Sequence, residues 1–264
     1  MITLQRRGIV DTYNGYSFSR PSMAFDSRGR MALPGNARFE SIAGRRGVRV
    51  EEATTNLLGA DSSSFEGGWG IWSPNTAVRA SDTAWHGSYA APLRRTVSSG
   101  FQTIMAIPTS NAIPASESTA YTWSLWYRIS PNRLILQPVF RVWALDSSRN
   151  DISRYTASGS WGSDDILGRV RLPSAPPDGV WRRFELPMAP TPAGTAYLRV
   201  EIFEDVGGLD EYGWIDGIQL EQRAYPTSWQ LGGFSRSPES LTIPTEGVLG
   251  PGAGFAWDQG TVEM

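Results

Sequence analysis

The chain has 264 residues and a formal charge of −2; its 24 basic residues are all arginine, and it contains no cysteine. That length buries a sizeable core without disulfides, and the missing thiols exclude zinc–thiolate sites and a cysteine nucleophile. The near-neutral charge gives no electrostatic basis for nucleic-acid or anionic-membrane binding, and no apolar run reaches the length of a membrane span.

With 28 Gly and 18 Pro, long helices are not expected, and 11 Trp, 9 Tyr and 10 Phe supply an aromatic core. Arginine without lysine, beside abundant Ala, Gly and Pro, points to a GC-rich coding sequence and a thermophilic source. The opening MITLQRRGIVDTYNG has no signal-peptide core, so a classical secretion route is not expected. Residues 1–58 read as an extended arm with short strands in GRMAL, ARFESI and GVRVEEA, the last marked by the alternation of Val48 and Val50. Residues 59–230 then alternate strand-like runs with turn clusters. The runs are FQTIMAIP, YTWSLWYRIS, LILQPVFRVWAL, VWRRFELPM, AYLRVEIFE and YGWIDGIQLEQ. The clusters between them, such as DSSRND, PSAPPDG and APTPAGT, carry the Gly, Pro and Asx residues of tight turns. This spacing predicts an all-β fold, an antiparallel β-sandwich of jelly-roll type with eight or more strands. Residues 231–264 are Gly- and Pro-rich, with one short alternating piece, SLTIP, and read as a second extended arm.

Three stretches, in order, resemble a known type of protein. FSRPSMAFDSRGRMALPGNARFE followed by GVRVEEATTNLL resembles the lead-in of tailed-phage and prophage virion proteins. SSFEGGWGIW, TAWHGSYAAPL, YTWSLWYRI, GVWRRFELPM and WIDGIQLEQ follow the order of a carbohydrate-binding-module-like jelly roll. YPTSWQLGGFSRSPESLTIPTEGVL resembles the junction that leads into a laminin-G/concanavalin-like domain. The resemblance implies a non-enzymatic structural protein of the phage particle, in capsid decoration or in the tail and adhesion apparatus. Its partners would be other virion proteins and further copies of itself, most simply as a trimer. It also implies that WIDGIQLEQ is the last strand, lying beside a first strand at SSFEGGW. A structural calcium held by Glu66 and Asp216, with carbonyls of the His86–Tyr89 turn, would sit at that edge, since Ca²⁺ takes hard oxygen ligands.

No hydrolase elbow, HExxH, Walker A or GxGxxG pattern is present, and the one histidine, His86, lies in a turn beside Trp85. Paired carboxylates for glycoside hydrolysis have candidates only in turn-like clusters: Asp164, Asp165, Glu204, Asp205, Asp210 and Glu211. No enzymatic activity is expected.

The period of two places Tyr121, Trp123, Leu125 and Tyr127 on one face of their strand, with Trp126 and Arg128 on the other. By the same rule Arg141 shares a face with Trp143, and Tyr197 with Arg199. If these three strands lie in one sheet, Trp126, Arg128, Arg141, Trp143, Tyr197 and Arg199 line a surface suited to a cell-surface glycan or a protein neighbour. The glycan-binding module is the alternative to the virion reading.

Overall fold

The computed structural model describes residues 51–75, 78–94, 102–131, 138–163, 170–171, 178–204 and 212–238, with short strands at 17–19, 24–25, 31–32, 38–42, 45–49 and 240–242. In chain order the strands are β1 (Ser17–Ser19), β2 (Ala24–Phe25), β3 (Met31–Ala32), β4 (Arg38–Ile42), β5 (Arg45–Arg49) and β6 (Thr54–Thr55). After helix α1 (Ala60–Ser64) come β7 (Ser73–Pro74), β8 (Ala91–Arg94), β9 (Gln102–Ala106), β10 (Ile113–Pro114), β11 (Thr122–Ile129) and β12 (Pro138–Leu145). Then follow β13 (Asp151–Tyr155), β14 (Trp161–Gly162), β15 (Val170–Arg171), β16 (Arg182–Pro187), β17 (Tyr197–Glu204), β18 (Tyr212–Glu221), β19 (Ser235–Arg236) and β20 (Ser240–Thr242).

Two antiparallel sheets form a jelly-roll sandwich. The larger runs β14-β13-β12-β17-β9-β7, with β10 paired to β17 and β15 to β12; the smaller runs β16-β11-β18-β8. No neighbours in the smaller sheet are consecutive in sequence, so the chain crosses repeatedly from one sheet to the other. Period-two alternation builds the core between them. Trp123, Leu125, Tyr127, Ile215, Ile218 and Leu220 face inward from the smaller sheet, and Phe140, Val142, Ala144, Leu198, Val200 and Ile202 from the larger. The edge strand β8 carries Pro92, which sits at a sheet margin as its missing N–H requires.

The chain divides into two units, Thr55–Phe234 and a second made of Met1–Thr54 with Ser235–Met264. The expected boundaries were 58 and 230, with two separate arms. Instead the terminal stretches group together, and β1 pairs antiparallel with β20 through Ser17–Thr242, Phe18–Leu241 and Ser19–Ser240. The expected strand in SLTIP is thus β20. In the same unit Arg236 is buried and its Nη1 lies 2.7 Å from the buried Glu51 carboxylate. The tail's Val248, Leu249, Phe255 and Trp257 lie outside the described residues.

One expected strand is not a strand. SSFE does not open the sandwich: Ala60–Ser64 is a short helix, ended by Phe65 in the left-handed region at φ 60°. Its polar side chains turn back on local main chain, Asp61 Oδ1 accepting from Gly67 N at 2.8 Å and Ser62 Oγ from Ile71 N at 2.9 Å. Such side-chain bonds compete with a ladder and favour turns and caps. The last strand, β18, consequently lies inside its sheet between β11 and β8.

Candidate functional site

The residues singled out from the sequence fall on opposite outer faces of the sandwich. Trp126 and Arg128 belong to β11 in the smaller sheet, whereas Arg141, Trp143, Tyr197 and Arg199 belong to β12 and β17 in the larger. The assignment of each strand's faces is as expected; the supposition of a shared sheet is not. Alternation within a strand says which side chains go together, but not which strands do.

On the smaller sheet, β18 carries a one-residue bulge. Ser124 pairs with Gln219 but Trp126 pairs with Asp216. The extra residue, Gly217, has φ +56°, and a Cβ there would meet the Trp85 ring at 2.6 Å and Trp126 at 2.9 Å. The bulge keeps Ile215, Ile218 and Leu220 inward while Asp216, Gln219 and Glu221 face out. None of these three reaches solvent. Two segments fold over them. Glu221 accepts from Thr227 N at 3.0 Å and from Thr227 Oγ1 at 2.5 Å, and Gln219 Oε1 accepts from Gln230 N at 2.5 Å. Asp216 Oδ2 accepts from Trp85 N at 2.9 Å and His86 N at 2.8 Å, and its Oδ1 from Gly217 N at 2.6 Å. Burial pushes the Asp216 carboxyl up to about 8, against the three main-chain N–H bonds, which pull the other way.

Rings complete the cover. Trp85 stacks on Trp126 at 4.5 Å and meets Trp229 edge-on at 5.3 Å, and His86 lies 4.7 Å from Trp229. Burial lowers the affinity of His86 for a proton. Trp126 is buried, and Arg128 donates to Thr83 Oγ1 with its guanidinium 5.4 Å from Trp214.

Glu66 and Asp216, the carboxylates expected to hold a calcium, both bond directly to the loop that carries the His86–Tyr89 turn. Glu66 Oε1 accepts from Ser88 N at 2.7 Å and Tyr89 N at 2.9 Å. The turn therefore offers amides and not carbonyls to both carboxylates. The nearby carbonyls of Phe65 and Glu66 accept from Arg79 Nη1, whose guanidinium also lies 4.2 Å from the Tyr89 ring. Ca²⁺ needs about six to eight oxygen ligands. Here both carboxylates accept main-chain N–H bonds from the turn that was expected to supply carbonyls, and the Phe65 and Glu66 carbonyls accept from Arg79. Among the described residues no three His, Cys, Asp or Glu side chains gather as a metal-holding group. These residues do not fit a calcium ion.

The larger sheet's outer face is built in cross-strand rows. Arg154, Trp143 and Arg199 stand side by side on β13, β12 and β17. The next rows hold Arg141 opposite Glu201, and Arg171, Val139 and Phe203. On the other side Leu145 stands between Asp151 and Tyr197. Guanidinium groups cover the rings: Arg199 lies 4.1 Å from the Trp143 ring, Arg141 4.6 Å from Phe203, and Arg149 4.5 Å from Tyr197. Arg199 also donates to Thr109 Oγ1 at 3.0 Å and approaches Glu201 at 3.6 Å. Burial raises the pKa of Glu201, opposed mainly by Arg199 and Arg141. Of the acidic glycosidase candidates, Glu204 ends β17, while Asp164, Asp165, Asp205, Asp210 and Glu211 lie outside the described residues.

The sequence reading missed Asn56, Arg79 and Thr227, which anchor the smaller sheet's cover, and Arg154, which completes the larger sheet's central row. Arg154 follows a hairpin turn from the strand holding Trp143, but a register shift between Asp151 and Ser153 puts it on Trp143's face where strict alternation from Asp151 would not.

No protein-family model matches the chain, and no curated protein matches it. Among solved structures, a xylan-binding CBM22 domain from Paenibacillus barcinonensis is similar at TM-score 0.41 and 12% identity, over 66% of this chain and 99% of that one. A TmCBM61 module, solved with β-1,4-galactotriose, is similar at TM-score 0.41 and 15% identity, over 64% and 99%. The enzymatically active domain of tailspike protein 4 from bacteriophage CBA120 is similar at TM-score 0.41 and 12% identity over 62% of this chain, which spans only 21% of that one.

Proposed function

We propose that the chain is a non-enzymatic binding module, built into a tailed-phage particle, that holds carbohydrate on the outer face of its larger sheet. The observation that carries this reading is the row of Arg154, Trp143 and Arg199 with the Arg-covered rings beside it. Sugars are bound by aromatic surface together with fixed hydrogen-bond donors, and on this face the half-buried Tyr197 and Phe203 rings lie beside arginines held in place. On the smaller sheet Asp216, Gln219 and Glu221 are bonded to main chain and Trp126 is buried beneath Trp85. The particle reading rests on the phage-like lead-in.

A glycan array and light scattering on the full chain test the proposal together. Binding that falls when Tyr197 or Phe203 is changed to Ala, from a protein that self-associates as a trimer, is the expected result. Glycan binding untouched by both substitutions would overturn the site. A strictly monomeric chain would overturn the particle assembly while leaving a free binding module.

A further inference from the structure

On the side of β17 away from β12, two segments pair with it in turn. One is β9, through Ala106 to Glu201; the other is β10, through Ile113 to Leu198 and Pro114 to Tyr197. Between them the chain leaves the ladder for a single turn, Thr109–Asn111. It departs opposite Val200, whose carbonyl accepts from Ile107 N at 2.9 Å, and returns opposite Leu198. The turn stands on the outer face. Arg199 donates to the Thr109 hydroxyl at 3.0 Å, and Arg149 donates to the Thr109 carbonyl. Ala112, at the end of the turn, is buried against Trp143 and Leu145, with Tyr197 and Phe203 packed on the same cluster. The flat face thereby acquires a side wall next to its rings.

This wall is fixed at its base and open at its crest. Asn111 N donates to Pro108 O at 2.8 Å and Ala112 N to Thr109 O at 3.3 Å, which closes the turn from within. Ser110 and Asn111 are exposed. Among the described residues their side chains bond only each other, Ser110 Oγ donating to Asn111 Oδ1 at a long 3.4 Å. The Asn111 Nδ2 donors and the remaining lone pairs of both oxygens are left for a ligand. Pro114 is also exposed and stands beside the half-buried Tyr197 on the same face, so a second apolar plate adjoins the tyrosine ring. The two arginines at the wall are already committed. Arg149 is bonded to Thr109 and lies on Tyr197; Arg199 is bonded to Thr109, approaches Glu201 and lies on Trp143.

We infer that Asn111 and Ser110 are specificity-determining residues of this face, reading the hydroxyls of an uncharged sugar that lies on Tyr197 and Pro114. The inference rests on the glycan-binding reading and deepens it. A carboxamide donates and accepts from one rigid plane, which matches neighbouring sugar hydroxyls that are each both donor and acceptor. Two guanidinium groups clamp the turn before any ligand arrives, so little freedom is lost on binding. A carboxylate on the sugar would meet an amide and a hydroxyl at this wall, beside arginines bonded elsewhere.

The test is binding of the full chain to xylan, β-1,4-galactan, dextran and polygalacturonate, with melting temperature measured alongside. The expected ligand is one of the uncharged polymers. Asn111→Ala should weaken its binding about fivefold, the worth of one neutral hydrogen bond, and should alter the order of preference among the polymers. Tyr197→Ala should weaken all of them by about tenfold or more, as loss of a buried ring contact requires. Asn111→Ala and Ser110→Ala should leave the melting temperature unchanged, because both side chains are exposed. Full binding by both of these variants, with loss in Tyr197→Ala, would overturn the role of the wall and leave the glycan reading standing. Preference for polygalacturonate would overturn the uncharged ligand and also leave that reading standing. Binding to none of the polymers, or binding indifferent to Tyr197→Ala and Phe203→Ala, would overturn both.

Discussion

Replacing Asn56 with alanine should be among the most damaging single changes in the module. Asn56 is fully buried, and its amide has five hydrogen-bond partners, three of them sharing the two Nδ2 protons. Nδ2 donates to Ser63 Oγ at 3.0 Å, Ile218 O at 3.0 Å and Gln230 O at 2.8 Å. Oδ1 accepts from Leu58 N at 3.2 Å and Leu220 N at 3.1 Å. In the alanine variant Ile218 O keeps a donor, because Ser63 Oγ reaches it at 2.7 Å. The buried groups that lose the amide are Leu58 N, Leu220 N and Gln230 O. Each stranded group costs about 1–3 kcal/mol, and a water entering the vacated space recovers part, so the loss should be about 3–6 kcal/mol. For a module of this size that is a fall of roughly 6–24 °C in melting temperature. Asn56→Asp separates shape from donors: it keeps the acceptor toward Leu58 and Leu220 but sets a second oxygen against the Ile218 and Gln230 carbonyls. It should be at least as destabilising at neutral pH and recover toward acid. Urea and thermal melts of both variants provide the measurement. An alanine variant within about 1 kcal/mol of the parent would refute the reasoning, because a buried amide with five partners cannot be idle.

Two further outcomes are expected. Chelator should leave the melting temperature unchanged, since Glu66 and Asp216 are satisfied by amides, while Arg79→Ala should lower it by roughly 2–8 °C for about 1–2 kcal/mol of lost bonding; a melt that falls with chelator would show that a metal holds the loop. Glu201 should make stability fall with rising pH, because burial raises its pKa from 4.5. The folded state keeps the proton after the unfolded chain has released it, so stability from this group is full below 4.5 and is lost as pH climbs to the raised value. Glu201→Gln should remove that slope in acid-range denaturant titrations, and an unchanged slope would assign it to another group.

Most of the fold was legible because alternation is a local property. YTWSLWYRIS, PVFRVWAL and AYLRVEIFE divide as expected into core and outer sets, and the turn clusters between them fix where strands end. What sequence did not yield is which strands share a sheet. In the smaller sheet every pairing is between strands distant in the chain, so no hairpin ties Trp126 to its neighbours or separates it from Trp143. SSFE failed for a different reason. Its Asp and Ser side chains bond nearby main chain, and that local alternative outweighs the strand-like pattern. The buried Asp216 was noticed from its place in an alternating run, but its partners were not. Their amides come from residues 130 and 131 positions away, and an N–H carries no sequence signature.

Polar residues alternating along a strand ordinarily mean a solvated face. In β18 they mean the opposite. Asp216, Gln219 and Glu221 form a buried polar seam on which the 85–89 and 227–230 segments are laid, and each carboxylate or amide fixes a specific main-chain position. Buried polar groups that are fully bonded specify one arrangement, since any slip strands several at once. With these three side chains spent on holding cover, the part of the smaller sheet over β18 lies beneath main chain and rings. Trp126, stacked beneath Trp85, contributes to the stability of that cover. On the larger sheet the outward arginines lie against rings instead, Arg199 on Trp143, Arg141 on Phe203 and Arg149 on Tyr197.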